Sequence, residues 1–266
     1  MSAVGEKEKK TQQRVVKLFC EQLGYDYLGD WTDREGNRNI EVDFLGTFLR
    51  DKQGYDGPLI KRALHLLHKA AGDTSKSLYD RNRAVYDLLR YGVKVKADVG
   101  ENMRTVWLID WKRPEKNHFA VAEEVTLPGA DAKAHTKRPD VVLYVNGIAL
   151  GVLELKRSTV SVAEGIRQNL DNQKKVFIEH LFSTVQLVMA GNDTEGLRYG
   201  AIQTAEKYYL TWKEESPVEN PLDRALVQLC GKARFLELIH DFIVFDAGAK
   251  KLCRPNQYFG VRAAQE

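Results

Sequence analysis

The amino-acid sequence predicts an α/β domain with a central mixed β-sheet flanked by helices. Residues 11–23 and 58–70 carry apolar side chains at helical spacing, and a further helix is predicted over residues 79–91. Downstream of these helices, short apolar runs typical of strands prevail. Asn146-Gly147 joins two of these runs and is the strongest short-range hairpin signal that a sequence offers. Helical and strand patterns mixed in this way predict helices packed on one sheet.

The remaining elements follow from the same patterns. The predicted strands are residues 38–50, 104–111, 119–127, 140–145, 148–155, 184–190 and 201–212. Ser161 and Glu164 form a capping box that starts a predicted helix over residues 161–181. Residues 222–245 are predicted to be helical.

The composition excludes several classes of protein. The chain has 266 residues, of which 43% are hydrophobic and 29% charged, as in a globular domain with a real core. It contains no apolar run long enough to cross a membrane, and its polar N-terminus does not resemble a signal peptide. Three widely spaced cysteines exclude a disulfide framework and a Cys-x-x-Cys zinc site, and they favour a reducing cytoplasm. A net charge of +3 does not by itself require a nucleic-acid partner.

One group of residues is typical of phosphodiester hydrolysis. Pro139-Asp140 is followed, after thirteen residues, by Glu154-Leu155-Lys156 at the end of an apolar strand. Mg²⁺ prefers hard oxygen ligands such as carboxylates, and a neighbouring lysine helps orient or deprotonate the attacking water. The alternative is structural: Asp140 begins a strand, and Glu154 with Lys156 forms a surface ion pair. The strand-end position favours the catalytic interpretation, since active sites of α/β sheets often lie there.

The spacing sets a condition on the hairpin. Glu154 and Lys156 share a face of their strand because side chains alternate. A two-residue turn places Asp140 opposite Leu153, on the wrong face. A three-residue loop with a bulge at Gly147 places Asp140 on the face of Glu154. A catalytic site therefore predicts the bulged loop.

The segments RPDVVLYVNGIALGVLELKRS and AEGIRQNLDNQ resemble the N-terminal nuclease domain of the restriction (R, motor) subunits of type I restriction enzymes. The resemblance continues through WLIDWKRPEKNHFAV, VQLVMAGNDTEGLRYG and the last segment of the chain. It implies a restriction-endonuclease-like core named for its Pro-Asp…Asp/Glu-x-Lys motif. It also implies that Asp140 and Glu154 are metal ligands, that the Leu155 carbonyl assists, and that Lys156 is the catalytic lysine.

The family also carries a glutamine, followed four residues later by tyrosine, on the next helix. Gln168 matches the glutamine, but Asn172 stands where the tyrosine is expected. Helical phase points Gln168 away from the inward stripe and leaves Gln173 as a rival. The family often adds an acid from the first helix, for which Glu8 is the candidate.

The end of the chain, RPNQYFGVRAAQE, resembles the entry to the family's first motor domain, where a glutamine contacts the adenine of ATP. Gln257 matches that residue and is expected to bind nucleotide only in a full-length protein, because no phosphate loop is present in this chain. The resemblance thus implies an endonuclease domain over residues 1–215 and a helical lead-in over residues 216–266 to a motor domain that is absent.

The function implied by the resemblance is Mg²⁺-dependent endonucleolytic cleavage of double-stranded DNA, with Mn²⁺ as a substitute metal. In the complete subunit, cleavage would follow ATP-driven translocation, and the expected partners are the modification and specificity subunits. The alternative is a catalytically inactive module that docks the motor on the methyltransferase core and contacts DNA. The two differ in whether Asp140, Glu154 and Lys156 converge within reach of one metal ion.

Overall fold

The computed structural model describes residues 3–98, 100–130 and 135–265, with side chains in the first helix described from Lys9 onward. Within these ranges the α-helices are α1 (Ala3–Glu21), α2 (Val42–Thr47), α3 (Gly57–Gly72), α4 (Leu78–Tyr91), α5 (Val162–Asn172), α6 (Glu179–Phe182), α7 (Pro221–Cys230), α8 (Lys232–Asp241) and α9 (Pro255–Gln265). None of the described helices is long and apolar enough to cross a membrane.

The strands build one large sheet and two hairpins. They are β1 (Asp26–Asp30), β2 (Val93–Val95), β3 (Arg104–Val106), β4 (Phe119–Glu123), β5 (Val141–Val145), β6 (Ile148–Leu155), β7 (Leu187–Asn192), β8 (Gly196–Gly200), β9 (Ile243–Asp246) and β10 (Ala249–Leu252). The six-stranded sheet has the order β1-β4-β5-β6-β7-β8. The β1–β4 and β6–β7 pairs are parallel and the other pairs are antiparallel, so the predicted mixed sheet is confirmed.

Helices cover both faces of the sheet. One apolar core lies between the sheet and helices α1, α3, α4, α7 and α8. A second core lies on the opposite face, under α5 and α6. Residues beyond 216 belong to the first core, where Leu222, Leu226 and Phe235 are fully buried. Helices α7 and α8 therefore pack against the sheet.

Several predicted strands are wrong in part. Residues 38–50 contain α2 and a π-helical turn, because Leu45, Phe48 and Leu49 point together into the core at helical spacing. Residues 201–212 form a 3₁₀ turn and a single bridge instead of a strand. Gly231 separates α7 from α8, and the helical pattern ends at Asp241.

The β5–β6 hairpin turns at Asn146-Gly147, which have φ values of 51° and 80°. The turn has two residues and pairs Val145 with Ile148, so the predicted three-residue loop is wrong. Asn146 is fully buried: its Nδ2 donates to the Leu108 carbonyl at 3.0 Å, and its Oδ1 accepts from the His118 N–H at 2.8 Å. The turn is thereby anchored in the protein interior.

A bulge in β6 replaces the predicted bulge in the loop. Tyr144 pairs with Ala149 but Leu143 pairs with Gly151, so Leu150 is an extra residue in β6. A side chain at Gly151 would begin 3.3 Å from the Leu143 Cβ, so glycine fits this crowded position. The extra residue shifts every later β5–β6 pair by one residue. Side chains of β6 beyond the bulge therefore point to the opposite face from the one they would have in an unbulged strand.

Candidate functional site

The bulge brings the two predicted acids to one face of the sheet. Val141 pairs with Leu153, which places Asp140 opposite Glu154. The neighbouring pair, Val142 and Val152, lies in the core under α5, so Glu154 projects to the same side as that helix. Asp140 and Glu154 therefore share the face that the catalytic interpretation requires, but the bulge that brings this about lies in β6 and not in the loop.

Glu154 is completely buried at the carboxyl end of β6. Asn172 Nδ2 on α5 lies 3.5 Å from its Oε1 atom, and Lys156 Nζ lies 3.9 Å from its Oε2 atom. Among the described residues, no donor is placed to hydrogen-bond Oε2. Its burial excludes the alternative of an exposed ion pair at a strand end.

Asp140 is fixed at the start of β5. Its Oδ2 accepts a hydrogen bond from the Leu155 N–H at 2.6 Å, and its carbonyl accepts from the Glu124 N–H at 2.9 Å. Glu124 has a φ of 52°, a conformation that ends the regular pairing of β4 with β5. The Asp140 carboxylate is thus held against the end of β6, the neighbouring strand that carries Glu154.

The electrostatic environment opposes ionisation of Glu154. Burial raises the pKa of Glu154 well above its usual value, the neighbouring Asp140 carboxylate raises it further, and Lys156 partly offsets this. Lys156 Nζ also donates to the Leu155 carbonyl at 3.0 Å. The buried Glu154 carboxylate thus lies beside a second acid with Lys156 Nζ 3.9 Å from it, an environment in which a bound cation would favour its ionised form.

These residues fit a hard divalent cation. Asp140 and Glu154 supply carboxylates and Leu155 a carbonyl, all of them oxygen donors suited to Mg²⁺ or Mn²⁺. The buried Glu154 Oε2, which lacks a donor, supports this assignment. In the described ranges, no group of three or more Asp, Glu, His or Cys side chains forms a metal cluster. Water and substrate oxygens would therefore complete the coordination shell.

A cleft of about 860 Å³ opens beside these acids. It is lined by Lys9, Gln12, Asp30, Thr32, Glu124, Thr126, Thr136, Arg138, Asp140, Lys156 and Gln168. Gln12 on α1 donates to Glu123 at 2.9 Å and to Glu124 at 3.1 Å, and Glu124 also pairs with Arg138. The helix thereby closes one wall of the cleft.

The two candidate glutamines on α5 and after it have different surroundings. Gln168 is half-buried, lies off the buried stripe of α5 as the helical phase predicts, and lines the cleft beside Asp140 and Lys156. Gln173 is buried, donates to the Asn169 carbonyl at 3.0 Å and accepts from the Gln203 N–H at 2.6 Å. Its hydrogen bonds anchor α5 to a neighbouring loop.

Sequence reasoning missed the way in which α5 contacts the strand. A side chain at Gly165 would begin 3.1 Å from the Ala190 Cβ and 3.5 Å from the Glu154 Cβ. Glycine at this position lets α5 approach β6 closely enough for Asn172 to contact Glu154. Gly165, a glycine inside a helical pattern, was the available signal for this contact. Thr11 and Gln12, polar residues that are buried on α1, were the available signal that this helix adjoins the site.

Two further predicted residues lie away from this geometry. The side chain of Glu8 falls outside the described part of the chain. Gln257 is exposed in the first turn of α9, and its Oε1 accepts from the Arg254 N–H at 2.8 Å. It lines a different cavity, near β9 and β10.

Known proteins resemble this chain over most of its length. The family described as type I restriction enzyme R protein N terminus matches residues 5–207. A putative type I restriction enzyme MjaIXP endonuclease subunit of Methanocaldococcus jannaschii is 26% identical over 98% of this chain and 28% of its own length. The type I restriction enzyme HindI endonuclease subunit of Haemophilus influenzae is 27% identical over 69% of this chain and 19% of its own length.

The chain thus spans less than a third of the length of each of these two relatives. The family match covers more than half of the chain and includes every residue of the site described above. The chain therefore belongs to the family of type I restriction enzyme R protein N termini.

Proposed function

We propose that this chain is the nuclease module of a type I restriction enzyme and that it cleaves double-stranded DNA with Mg²⁺. The observation that carries the proposal is the convergence of Asp140 and Glu154 on one face of the sheet, with Lys156 beside them. Membership of the restriction family and the relatives named as endonuclease subunits support the same reaction.

Each residue has a distinct role in the proposed reaction. Asp140, Glu154 and the Leu155 carbonyl would hold the metal, which supplies Lewis-acid activation of water and phosphate. Lys156 would release the Leu155 carbonyl, orient the attacking water and offset negative charge on the phosphate. Gln168 lines the cleft where a DNA strand would pass and would contact the backbone.

The wider setting is also part of the proposal. The complete subunit would couple cleavage to ATP-driven translocation, with Gln257 at the adenine and residues 216–266 leading into the motor. Modification and specificity subunits would select the DNA site, so this module would cut without sequence preference of its own. The cytoplasm, where DNA and reduced thiols coexist, would be its location.

One observation favours the alternative of an inactive docking module. The Lys156 ammonium already contacts the Leu155 carbonyl and approaches Glu154, which partly neutralises the acids without a metal. If this arrangement were permanent, the site would bind no metal and the module would only contact DNA.

Mn²⁺ calorimetry and a plasmid-nicking assay separate the two. We expect Asp140→Asn to lose both Mn²⁺ binding and cleavage, and Lys156→Gln to keep or strengthen Mn²⁺ binding but lose cleavage. Asp51→Asn, at an exposed acid beside Arg50, is the matched control and should change neither. Absence of Mn²⁺ binding by the wild type at millimolar metal, with duplex DNA present, would support the docking module instead.

A further inference from the structure

A groove between α3 and β2 is lined by basic side chains. It has a volume of about 690 Å³ and shares no lining residue with the cleft at Asp140. Its charged or titratable lining residues are Lys61, Arg62, His65 and Lys96, all exposed. The rest of the lining consists of glycine, proline, alanine, leucine and valine. No acid in the described part of the chain lines this groove.

Three basic side chains of the groove lack an acidic ion-pair partner among the described residues. In the described ranges, Lys61, Arg62 and Lys96 form no ion pair with an acid, whereas Arg138 pairs with Glu124 and Arg167 with Glu164. The acid that begins α3, Asp56, caps the helix by accepting from the Leu59 N–H and lies 3.4 Å from Arg104. The chain as a whole carries only +3, so this excess of positive charge is local.

The groove is built on rigid elements. The opposite side of α3 is buried through residues that include Leu59, Ala63 and Leu67. This packing fixes which side of the helix faces solvent. Lys61 and His65 are one helical turn apart and lie side by side along that exposed surface. A linear polyanion in the groove would meet Lys61 and Arg62 on α3 and Lys96 just after β2.

From these observations we propose that the α3–β2 groove is a second contact site for the phosphate backbone of duplex DNA. Among the residues that the structure describes, no aromatic side chain lines the groove to offer a platform on which the bases of a single strand could stack. Its flexible cationic side chains suit phosphate contacts that ignore sequence. The inference depends on the proposed function only in taking DNA as the polymer.

Fluorescence anisotropy with a 30-base-pair duplex and the matching single strand tests the groove. The 266-residue chain would carry Asp140→Asn, and EDTA would prevent cleavage. We expect Lys61→Glu/Arg62→Glu to weaken duplex binding at least tenfold more than the control Lys207→Glu/Lys213→Glu, which makes the same change in net charge at exposed sites elsewhere. The slope of log K against log salt should fall by roughly 2.

Lys96→Glu, on the other wall of the groove, provides an independent variant and should weaken duplex binding in the same direction. Duplex affinity within twofold of the control pair in both groove variants would overturn the proposal, as would a larger loss for the single strand than for the duplex. Mn²⁺ calorimetry on Lys61→Glu/Arg62→Glu, with Asp140 intact, keeps the two proposals separate. If Lys61→Glu/Arg62→Glu binds Mn²⁺ normally but loses affinity for the duplex, the groove proposal is supported. If the wild type binds the duplex through the groove but binds no Mn²⁺, only the nuclease proposal is contradicted.

Discussion

The Asp140 carboxylate accepts a hydrogen bond from the backbone N–H of Leu155, the residue that follows Glu154, with 2.6 Å between the two atoms. This bond fixes the acid that precedes β5 to the end of β6. The two predicted carboxylates are therefore held together by the backbone before any metal binds. In the absence of metal this arrangement has an energetic cost, because it keeps Glu154 buried beside a second acid.

Glu154→Gln is expected to stabilise the metal-free protein by about 1–3 kcal/mol at pH 7, because it removes a buried carboxylate and retains its shape. The sign follows from the raised pKa of Glu154. The folded state holds this proton to a higher pH than the unfolded state, so wild-type stability falls as pH rises from about 4.5 through the raised value.

Urea unfolding between pH 4 and pH 8 measures both effects. In Glu154→Gln, the free energy of unfolding should lack the decline with rising pH that Glu154 causes in the wild type. Mn²⁺ should raise the melting temperature of the wild type but not of Glu154→Gln. A variant less stable than the wild type at pH 7 without metal would contradict this account of the site.

Asn172 provides a test in which stability and metal affinity change in opposite directions. Its Nδ2 lies 3.5 Å from Glu154 Oε1, and its buried Oδ1 has no hydrogen-bond partner in the described part of the chain. Asn172→Asp adds a third acid, so metal-free stability should fall by roughly 1–3 kcal/mol while Mn²⁺ affinity rises. Asn172→Leu removes the contact and should weaken Mn²⁺ binding about 10-fold with little loss of stability.

Thermal unfolding and calorimetry on the two variants decide the matter. Equal Mn²⁺ affinities in Asn172→Asp, Asn172→Leu and the wild type would show that this side chain does not act on Glu154. Gln173→Leu is a useful comparison because, within the described residues, Gln173 hydrogen-bonds to backbone groups. It should lower stability and leave the Mn²⁺ affinity unchanged.

The sequence singled out Asp140 and Glu154, which the structure brings together, but it did not predict the path of the chain that does so. Asn146-Gly147 indicated the hairpin and the strand end indicated Glu154, because both signals are local. The extra residue Leu150 has no local signature, and only Gly151 beside it suggests a crowded position. The bulge arises from packing on both faces of the sheet, which a single strand does not reveal.

The same limit explains the other differences. Residues 38–50 satisfy a strand pattern, yet Leu45, Phe48 and Leu49 can enter the core together only on a helix. The contact between Asn172 and Glu154 likewise depends on the closeness of α5 to β6, which Gly165 permits. Such distances are tertiary properties. Helical phase placed Gln168 off the inward stripe of α5 but did not show that the residue lines a cleft beside Asp140.

Gly147→Ala should destabilise the fold far more than a similar change in another hairpin. A Cβ at Gly147 would lie 2.6 Å from the Glu41 carbonyl oxygen and 2.8 Å from the Phe44 Cβ, in addition to a φ of 80°. Gly248 in the β9–β10 turn has a φ of 79°, and no atom of the described residues lies within 4 Å of the position that a Cβ would take there. We expect losses of roughly 3–4 kcal/mol for Gly147→Ala and about 1 kcal/mol for Gly248→Ala, measured by urea unfolding. Similar losses in the two variants would mean that backbone conformation, and not the docking of the turn, sets the cost.

Lys250 in β10 carries a pH dependence of its own. Its ammonium is buried and donates to Asn82 Oδ1 at 2.8 Å and to Gln186 Oε1, and no carboxylate is among its described hydrogen-bond or ion-pair partners. Burial lowers the pKa of Lys250 well below its usual 10.5. Between the lowered value and about 10.5, the unfolded state binds more protons than the folded state, so this group makes the free energy of unfolding rise with pH.

Lys250→Met isolates that contribution, because tyrosines and cysteines with raised pKa values act in the opposite direction in the same pH range. The stability of the wild type relative to Lys250→Met should increase between pH 7 and pH 10, by at most about 1.4 kcal/mol per pH unit. Urea unfolding of both proteins at pH 7, 8, 9 and 10 gives this difference directly. If it stayed constant, the buried amine would have the same pKa in the folded and unfolded chains, and Asn82 and Gln186 would have to hold a charged group at no cost.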